Sequence, residues 1–513
     1  MNLFRDNLAS LLQECVISNP DKVLYISGDE EIITRDIWDS ACRLSSALRA
    51  LGIQRGSRVL LMLPNIPEYV VAYFAILHAG AVVVPVNVML REREIHFLME
   101  DCEARAIITG QDTVHDVLAA TKHLATLRHI IVQGDDISAD TLGFAELIEQ
   151  HEPDESLTDV SPEDTAVIFY TAGITGSPKG AELTHRSLLG NARAGVQLLQ
   201  VRSKDRILGV LPFFHAFGKT AVLNTPLAAG ASVILMTEFN PAAILKAVQD
   251  HRITIFPATP YIYRKLLSCP DRTEYDFSSV RYCISGASAL KPDLLEKFEK
   301  EFSTTIVEGY GLCETTAVAT FNQLHRDRRP GSIGTPIEGV DIKLIDNDGE
   351  EAPPGEVGEI IIRSDYIMKG YLNRPEATKE VLRDGWFYTG DLARADEDGY
   401  LYIIDRKKDM IVKAGFSIYP VEIERLLLSH PSIAEVAVIG VPDQVHGEEI
   451  KACIVLREGA ELTLAELADY CRERMARYKC PRYVQFYKQL PKNSSGRILK
   501  KKLRQISGLE ERN

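Results

Sequence analysis

The sequence predicts an α/β protein with a large N-terminal domain, built of α/β subdomains and a β-rich subdomain, followed by a small C-terminal α/β domain. Three observations carry this prediction. The chain has 513 residues, which is too long for one compact core. Residues 6–160 alternate segments of helical and strand periodicity, the pattern of strands covered by helices. From Val340 onward the chain changes to short strands and turns, which indicates the β-rich part.

The first half of the chain shows the helix and strand alternation clearly. Apolar residues recur at helical spacing over 36–51, and residues 58–63 read as a buried strand. The most membrane-like window is 69–90, but polar residues, glycine and proline interrupt it. We therefore expect a buried helix over 67–79 and a strand over 81–84 rather than a membrane span.

A glycine-rich turn over 170–181 follows the apolar run 166–169. Three glycines let backbone N–H groups converge on anionic oxygens, while hydroxyls and one ammonium group add donors, so the turn suits a polyphosphate. It differs from the P-loop of nucleoside triphosphatases because Pro178 precedes Lys179 and Gly180 follows it. A plain surface loop between two strands remains the alternative.

Beyond this turn, Thr184 is suited to cap a helix that runs from His185 to about residue 200. The next notable segment is 210–218, in which His215 lies among aromatic residues. A histidine in such surroundings is, taken alone, more often structural than functional.

Two further segments, 281–290 and 307–316, each combine a strand with a turn of small residues that lets a flat ligand lie close to the backbone. The second segment adds Glu314, a carboxylate of the kind that binds magnesium bridging two phosphates, although a solvated loop acid is the alternative. The later segment 386–391 ends in Asp391, which could accept hydrogen bonds from both hydroxyls of a ribose.

The charged cluster 405–409 lies between apolar strands and is a good linker candidate. We place the domain boundary there, which divides the chain into residues 1–404, 405–409 and 410–513. The last part reads as a small α/β unit that ends in the basic segment 492–502.

The bulk composition excludes several classes of protein. A formal charge of −14 argues against binding to nucleic acid. Nine cysteines without a CxxC pair favour reduced thiols in a cytoplasmic protein over a disulfide framework or a zinc site. The N-terminal residues do not have the pattern of a signal peptide.

The order and spacing of these motifs resemble the acyl-adenylate-forming superfamily, which includes acyl-CoA synthetases, adenylation domains of peptide synthetases and firefly luciferase. The resemblance covers essentially the whole chain. Residues 405–411 and 415–420 look most like those of bacterial medium- and long-chain fatty-acid CoA ligases. The resemblance implies that ATP, Mg²⁺ and CoA are used in two half-reactions, with a mobile C-terminal domain that rotates about the 405–409 hinge between them.

The resemblance also implies a role for each motif. The triphosphate would be held by Thr171, Gly173, Thr175, Gly176 and Lys179, with Thr175 also assigned a catalytic role. The adenine would be surrounded by Gly286, Ala287, Ser288, Glu308, Gly309 and Tyr310. The ribose would be bound by Asp391 and Arg406, and magnesium by Glu314. The remaining roles are a catalytic His215 between the acyl pocket and the α-phosphate, Lys408 as the hinge, Gly415 beside the pantetheine arm and a catalytic Arg497.

Four positions depart from the commonest pattern of the superfamily: Ala172, Ile174, Cys313 and Arg497. The first two remove hydroxyls from the glycine-rich turn, and Cys313 replaces a threonine before Glu314. Arg497 stands where the superfamily has a catalytic lysine. It keeps the positive charge that would stabilise the transition state, but its planar fork differs in geometry from an ammonium group.

The function that the resemblance implies is the activation of a carboxylic acid, with a fatty acid favoured, as acyl-AMP and its transfer to CoA. One alternative passes the acyl group to the phosphopantetheine of a carrier protein. Another treats the four departures as a loss of catalysis and leaves a protein that binds nucleotide or acyl-AMP. We expect small-molecule substrates, no nucleic acid and no transmembrane segment, while peripheral contact with a membrane is left open.

Overall fold

The computed structural model describes most of the chain. The described residues are 7–122, 124, 126–135, 138–171, 178–346, 348–413, 416–443, 447–475, 477–492, 496 and 498–507. The chain forms two compact units. The large unit contains Met1–Asp341 and Ile362–Phe387, and the small unit contains Ile342–Ile361 and Tyr388–Asn513. The boundary that the sequence predicts at 405–409 stays a prediction.

Helices and strands alternate from the start of the large unit, as the sequence predicts. The first strands are β1 (Val23–Ser27), β2 (Glu30–Ile33), β3 (Arg58–Met62), β4 (Val82–Pro85), β5 (Ala106–Gly110), β6 (His129–Gln133) and β7 (Leu142–Gly143). The helices of the same stretch are α1 (Ser10–Ser18), α2 (Thr34–Ala50), α3 (Pro67–His78), α4 (Glu92–Asp101), α5 (Val114–Ala120) and α6 (Phe144–Glu149).

The alternation continues to the end of the α/β part. Its strands are β8 (Thr165–Thr171), β9 (Lys179–Thr184), β10 (Arg206–Gly209), β11 (Ser232–Leu235), β12 (Ile255–Ala258), β13 (Tyr282–Ser285), β14 (Ile306–Tyr310), β15 (Thr320–Phe321) and β16 (Thr335–Pro336). Its helices are α7 (His185–Leu198), α8 (Ala216–Gly218), α9 (Thr225–Ala229), α10 (Pro241–Asp250), α11 (Pro260–Leu267) and α12 (Pro292–Phe302). A π-helical turn, Lys219–Asn224, joins α8 to α9.

Short strands dominate after residue 340, which confirms the predicted β-rich part. They are β17 (Val340–Ile345), β18 (Val357–Ser364), β19 (Gly370–Tyr371), β20 (Leu382–Arg383), β21 (Trp386–Ala395) and β22 (Leu401–Arg406), with one helix, α13 (Pro375–Val381). Five of them form a sheet in the order β17–β18–β21–β20, with β22 paired to β21.

The first sheet of the large unit has eight strands in the order β19–β9–β8–β4–β3–β5–β6–β7. Neighbours from β8 to β7 are parallel, whereas β9 and β19 are antiparallel additions at the edge. All four residues of β4 are buried, as expected for a strand in a parallel sheet that is covered on both faces. The predicted buried helix and strand of the 69–90 window are therefore confirmed as α3 and β4.

The second sheet of the large unit has nine strands in the order β16–β15–β14–β13–β12–β10–β11–β1–β2. Neighbours from β14 to β1 are parallel. Ligands of open α/β sheets bind outside the carboxyl ends of parallel strands. The carboxyl ends of β13 and β14, at Ser285 and Tyr310, carry the small-residue turns that the sequence singles out.

The small unit has its own sheet, in the order β24–β23–β26–β25 with β27 paired to β26. Its elements are β23 (Ile411–Lys413), β24 (Phe416–Ile418), α14 (Pro420–Leu428), β25 (Ile433–Asp443), β26 (Gly447–Leu456), α15 (Leu464–Arg474), β27 (Tyr483–Phe486) and α16 (Lys500–Ser507). Side chains of a strand alternate between the two faces of a sheet. Along β25, Val436 and Val438 pack in a core with Ile423, while Ala437 and Ile439 pack in a second core with other residues.

The predicted fold class is confirmed, since both units are mixtures of helices and strands. The predicted cap of α7 is also confirmed, because Thr184 Oγ1 accepts a hydrogen bond of 3.1 Å from the backbone N–H of Ser187. Within the described parts of the chain, no helix combines the length and the apolar character that crossing a membrane requires.

Candidate active site

The glycine-rich turn is the connection between two antiparallel strands. Strand β8 ends at Thr171 and β9 begins at Lys179, and these two residues face each other in the pairing register. The fold therefore brings together the two ends of the predicted phosphate loop. The loop residues Gly173, Thr175 and Gly176 lie outside the described residues, and their predicted roles stay predictions.

Glu314 lies beside the first end of this loop. Its side chain is only 9% exposed, and its Oε1 atom accepts hydrogen bonds from Thr171 Oγ1 at 3.4 Å and from the hydroxyl of Tyr371 at 2.9 Å. Its backbone carbonyl accepts a hydrogen bond from Met368 N. The fold thus places the predicted metal ligand next to the predicted phosphate residues, although 143 positions separate Glu314 from Thr171.

Tyr371 is a residue of this cluster that the sequence analysis missed. Its ring lies below the ammonium group of Lys179, with 5.2 Å between Nζ and the ring centroid. Burial and the carboxylate of Glu314 raise the pKa of the Tyr371 hydroxyl, so it stays protonated and can donate. A tyrosine after a glycine has no distinctive sequence signal. Only the pairing of β19 with β9 brings Tyr371 to the site.

The cluster suits magnesium that is already bound to phosphate oxygens. Among the residues that the structure describes, no group of three or more acidic, histidine or cysteine side chains could form a metal cage. Magnesium in nucleotide sites does not need one, because one or two carboxylates complete a coordination shell of waters and phosphates. The single buried carboxylate of Glu314, held by two hydroxyl donors, fits this requirement.

A cavity of about 210 Å³ opens at the carboxyl ends of β13 and β14. Four predicted residues line it: His215, Gly286, Ala287 and Gly309. Its other walls are mainly apolar or small, and come from α7, from the segment 216–225 and from the chain around residue 312: Leu198, Leu199, Ala216, Phe217, Ala221, Leu312, Cys313, Ala317, Val318 and Phe321 among them. The cavity therefore suits an apolar group of modest size.

The backbone around the cavity is close-packed and partly strained. A Cβ atom on Gly311 would lie 2.0 Å from the carbonyl oxygen of Ala317, and one on Gly309 would lie 2.6 Å from a ring carbon of Phe321. Two alanines of the wall, Ala287 and Ala317, have left-handed backbones with φ of 67° and 86°. Such conformations persist in ligand sites, where the surrounding structure holds them.

His215 begins the short helix α8 at one side of the cavity, and its Nδ1 atom accepts a hydrogen bond of 3.3 Å from Phe217 N. Although the ring is accessible from the cavity, the surrounding protein disfavours its charged form and lowers its pKa. A neutral imidazole whose Nδ1 accepts from the backbone carries its proton on Nε2. It can therefore donate a hydrogen bond to an anion.

Glu308 lies behind the wall of the cavity rather than in it. The side chain is 6% exposed, and Oε1 accepts a hydrogen bond of 3.0 Å from Leu290 N. Burial raises its pKa to about 7, which the hydrogen bond from the backbone only partly offsets. It braces the turn 286–290, which contains the predicted adenine residues.

The small unit holds the predicted ribose pair. Asp391 and Arg406 face each other across strands β21 and β22, and Arg406 Nε lies 3.1 Å from Asp391 Oδ1. Asp391 is 5% exposed. Three predicted residues of the C-terminal part lie outside this description: Gly415 and Arg497 are not among the described residues, and neither is the side chain of Lys408.

Comparison with known proteins gives a family for the whole chain. The AMP-binding enzyme family matches residues 12–372, and the AMP-binding enzyme C-terminal domain matches residues 422–497. A long-chain-fatty-acid–CoA ligase of Bacillus subtilis (strain 168) is 38% identical over 525 residues, covering 97% of this chain and 94% of that protein. A feruloyl-CoA synthase of an Amycolatopsis species is 38% identical over 491 residues, covering 96% of this chain and 97% of that protein.

A solved structure extends the likeness to three dimensions. The crystal structure of an anthranilate CoA ligase in complex with anthranoyl-AMP superposes with a TM-score of 0.90 at 31% identity, covering 99% of this chain and 98% of that chain. The two relatives and the solved structure each cover at least 96% of this chain and therefore span both units. The chain therefore belongs to the AMP-binding enzyme family and is an acyl-CoA synthetase, with ATP and CoA as its substrates.

Proposed function

We propose that this acyl-CoA synthetase activates a compact, largely apolar carboxylic acid: an aromatic acid or a fatty acid of short to medium length. The observation that carries the proposal is the cavity of about 210 Å³ with its apolar wall. A dry cavity of about 150 Å³ lined by aliphatic and aromatic side chains holds one benzene molecule. The larger cavity suits a ring with a short arm.

The similar proteins differ in the class of acid that their names give, which is fatty in one case and aromatic in the others. The long-chain-fatty-acid–CoA ligase of Bacillus subtilis favours the fatty acid that the sequence resemblance implies. The feruloyl-CoA synthase and the anthranilate CoA ligase favour an aromatic acid. Identity is the same for the first two, so overall likeness does not separate them, and the size of the cavity supports the compact acid.

The reaction would proceed in two steps. An oxygen of the acid's carboxylate attacks the α-phosphorus of ATP, pyrophosphate leaves, and the acyl-AMP mixed anhydride forms. The thiol of CoA, losing its proton, then attacks the acyl carbon, and AMP leaves with the electrons of the broken C–O bond. Both reactants of the first step are anions, so their charges must be neutralised and the two held in line.

The described residues of the large unit have groups suited to the first step. Lys179 would hold the terminal phosphates with its ammonium group, and Thr171 would donate its hydroxyl to them in exchange for its 3.4 Å bond to Glu314. Glu314 would hold magnesium, which when bound supplies positive charge at the phosphate oxygens. His215, with its proton on Nε2, would donate a hydrogen bond where the carboxylate meets the α-phosphate.

The nucleoside and the second step involve residues that we assign by resemblance. The turns 286–288 and 308–310 would enclose the adenine, and Asp391 with Arg406 would bind the ribose. Arg497 would stabilise the charge that develops during adenylation. The hinge at 405–409, in which Lys408 would occupy the turning position, would let the C-terminal residues 410–513 rotate. In the second step Gly415 would let the pantetheine arm pass close to the backbone.

The proposal is tested by measuring pyrophosphate release with Mg-ATP and acids from acetate to palmitate, together with benzoate, anthranilate and coumarate, each with and without CoA. We expect kcat/KM to be highest for an aromatic or short- to medium-chain acid, with AMP and thioester formed only when CoA is present. A clear preference for palmitate would contradict the compact-acid proposal. If CoA does not affect the reaction but a phosphopantetheinylated carrier protein receives the acyl group, the carrier protein is the acceptor in place of CoA.

A further inference from the structure

One wall of the cavity belongs to a segment that is anchored from behind. We call residues 209–219 the strap. His215, Ala216 and Phe217 of the strap line the cavity. The strap folds closely on itself, since a Cβ atom on Gly218 would lie 2.1 Å from the carbonyl oxygen of Pro212. The position of this wall therefore depends on what holds the strap.

Asn65, just before helix α3, anchors the first half of the strap. Its Nδ2 atom donates to the carbonyl oxygens of Gly209 and Leu211, both at 2.9 Å. Its Oδ1 atom accepts from Phe213 N at 2.8 Å. Asn65 is 4% exposed, so these three bonds replace contacts with water that the backbone has lost.

Tyr69, one turn further along α3, anchors the second half. Its hydroxyl donates to the carbonyl oxygen of Phe213 at 3.3 Å and accepts from Nζ of Lys219 at 2.7 Å. The Nζ atom of Lys219 lies 4.4 Å from the ring centroid of Tyr69 and 3.9 Å from that of Tyr73. Backbone N–H of Lys219 in turn donates to the carbonyl oxygen of His215 at 2.8 Å.

Burying the side chain of Lys219 at this place is unfavourable for the stability of the fold. Lys219 is fully buried, its pKa is lowered well below the usual value by that burial, and the ion pairs of the described residues do not include it. An apolar side chain of similar volume usually serves a buried site as well or better. Lys219 also begins a π-helical turn, a distortion that is common at functional sites. The burial of Lys219 and the π-helical turn are both explained if Lys219 holds the strap in position.

We propose that Asn65, Tyr69 and Lys219 are positioning residues that hold the His215–Phe217 wall of the cavity and thereby set the size of acid that fits. None of the three lines the cavity, so they act through the strap. The inference rests on the proposed function in one respect, that the cavity holds the acyl group. It does not depend on which acid the wild-type enzyme prefers.

The test uses the full-length chain and the variants Tyr69→Phe and Lys219→Met. Tyr73→Phe is the matched control, because Tyr73 is on the same helix, is equally buried and also faces Lys219, but its hydroxyl is directed to Asn224 and, among the described residues, makes no hydrogen bond with the strap. For each protein we would measure KM for ATP and kcat/KM for benzoate, coumarate, hexanoate and decanoate, together with the midpoint of urea unfolding.

In Tyr69→Phe and Lys219→Met we expect KM for the preferred acid to rise by about five- to tenfold, the effect of losing one buried hydrogen bond. KM for ATP should stay within about twofold, and the ratio of kcat/KM between smaller and larger acids should change at least about threefold. Tyr73→Phe should match the wild type. Equal effects on acid and ATP, an unchanged size preference, or the same change in Tyr73→Phe would overturn the proposal.

If Tyr69→Phe does not fold, Lys219→Met tests the same anchor, because methionine removes the hydrogen bond to Tyr69 and leaves the space filled. The wild-type acid panel decides the compact-acid proposal, and the comparison of each variant with the wild type decides the positioning role. The two can therefore fail independently.

Discussion

Replacement of Glu308 by glutamine should stabilise the large unit, and more strongly at high pH than at low pH. Glu308 is 6% exposed, and its pKa in the folded state is raised from 4.5 to about 7 by burial. Below pH 4.5 the carboxyl is neutral in both the folded and unfolded states, so it has no titration cost. Above pH 4.5 the unfolded chain releases this proton first, so stability is lost progressively as the pH rises through about 7.

The size of the effect follows from the shift of the pKa. Each pKa unit corresponds to 1.36 kcal/mol, so a rise from 4.5 to about 7 makes the charged form cost about 3 kcal/mol at pH 8.5. At pH 5 the carboxyl is mostly ionised in the unfolded state but still almost neutral in the folded state, and the cost is about 1 kcal/mol. Glutamine has no charge to bury, and its amide oxygen can still accept the hydrogen bond from Leu290 N.

The measurement is urea unfolding of the wild type and Glu308→Gln at pH 5 and pH 8.5, followed by tryptophan fluorescence. Both tryptophans, Trp38 and Trp386, belong to the large unit, so the signal reports the unit that contains Glu308. Glu296→Gln, an exposed glutamate on α12, is the control and should change nothing at either pH. An advantage of Glu308→Gln that is equal at the two pH values, or a loss of stability, would refute the reasoning.

Three further predictions concern the phosphate site, and one concerns the fold. Glu314→Gln should lower kcat for pyrophosphate release by about 100-fold or more while binding of ATP without magnesium is retained; unchanged magnesium dependence would remove Glu314 from the metal site. Tyr371→Phe deletes the hydroxyl that donates to Glu314, so KM for Mg-ATP should rise about fivefold with KM for the acid unchanged; an equal rise in both would mean a general packing defect. Arg497→Lys should change kcat for adenylation by less than about tenfold because the charge is kept; a much larger gain would mean that the arginine impairs catalysis. Thr184→Ala removes the acceptor at the start of α7 and should cost about 1 kcal/mol of unfolding free energy, measured by urea unfolding with Thr184→Ser as the conservative control that keeps the cap.

Much of the local structure could be predicted from the sequence because local physics decides it. The helical periodicity of 36–51 became α2 (Thr34–Ala50), and the cap at Thr184 forms as its side chain predicts. The strand and helix of the 69–90 window were also predicted. In each case the signal is a spacing of apolar side chains or one capping group within a few residues, which a sequence displays directly.

The site was predicted less completely, since its residues are distant in sequence. Resemblance of motifs named Thr171, Lys179 and Glu314, and the fold brings them together. The resemblance could not name Tyr371. Glu314, the partner of Tyr371, lies 57 positions away, and no residue next to the tyrosine in sequence marks it as part of the site. The role of Glu308 beside the adenine stays a prediction, and the structure adds that its buried carboxylate accepts a hydrogen bond from Leu290 N.

The sequence by itself determined the α/β class, the position of the glycine-rich turn and the hydrogen-bond donors that its hydroxyls and lysine supply. Those properties depend on composition and on spacing over a dozen residues. Only the tertiary structure decided the size of the cavity, the burial that raises the pKa of Glu308 and the anchoring of the strap by Tyr69 and Lys219. Volume, desolvation and a hydrogen bond across 150 positions arise from packing, which depends on all neighbours at once.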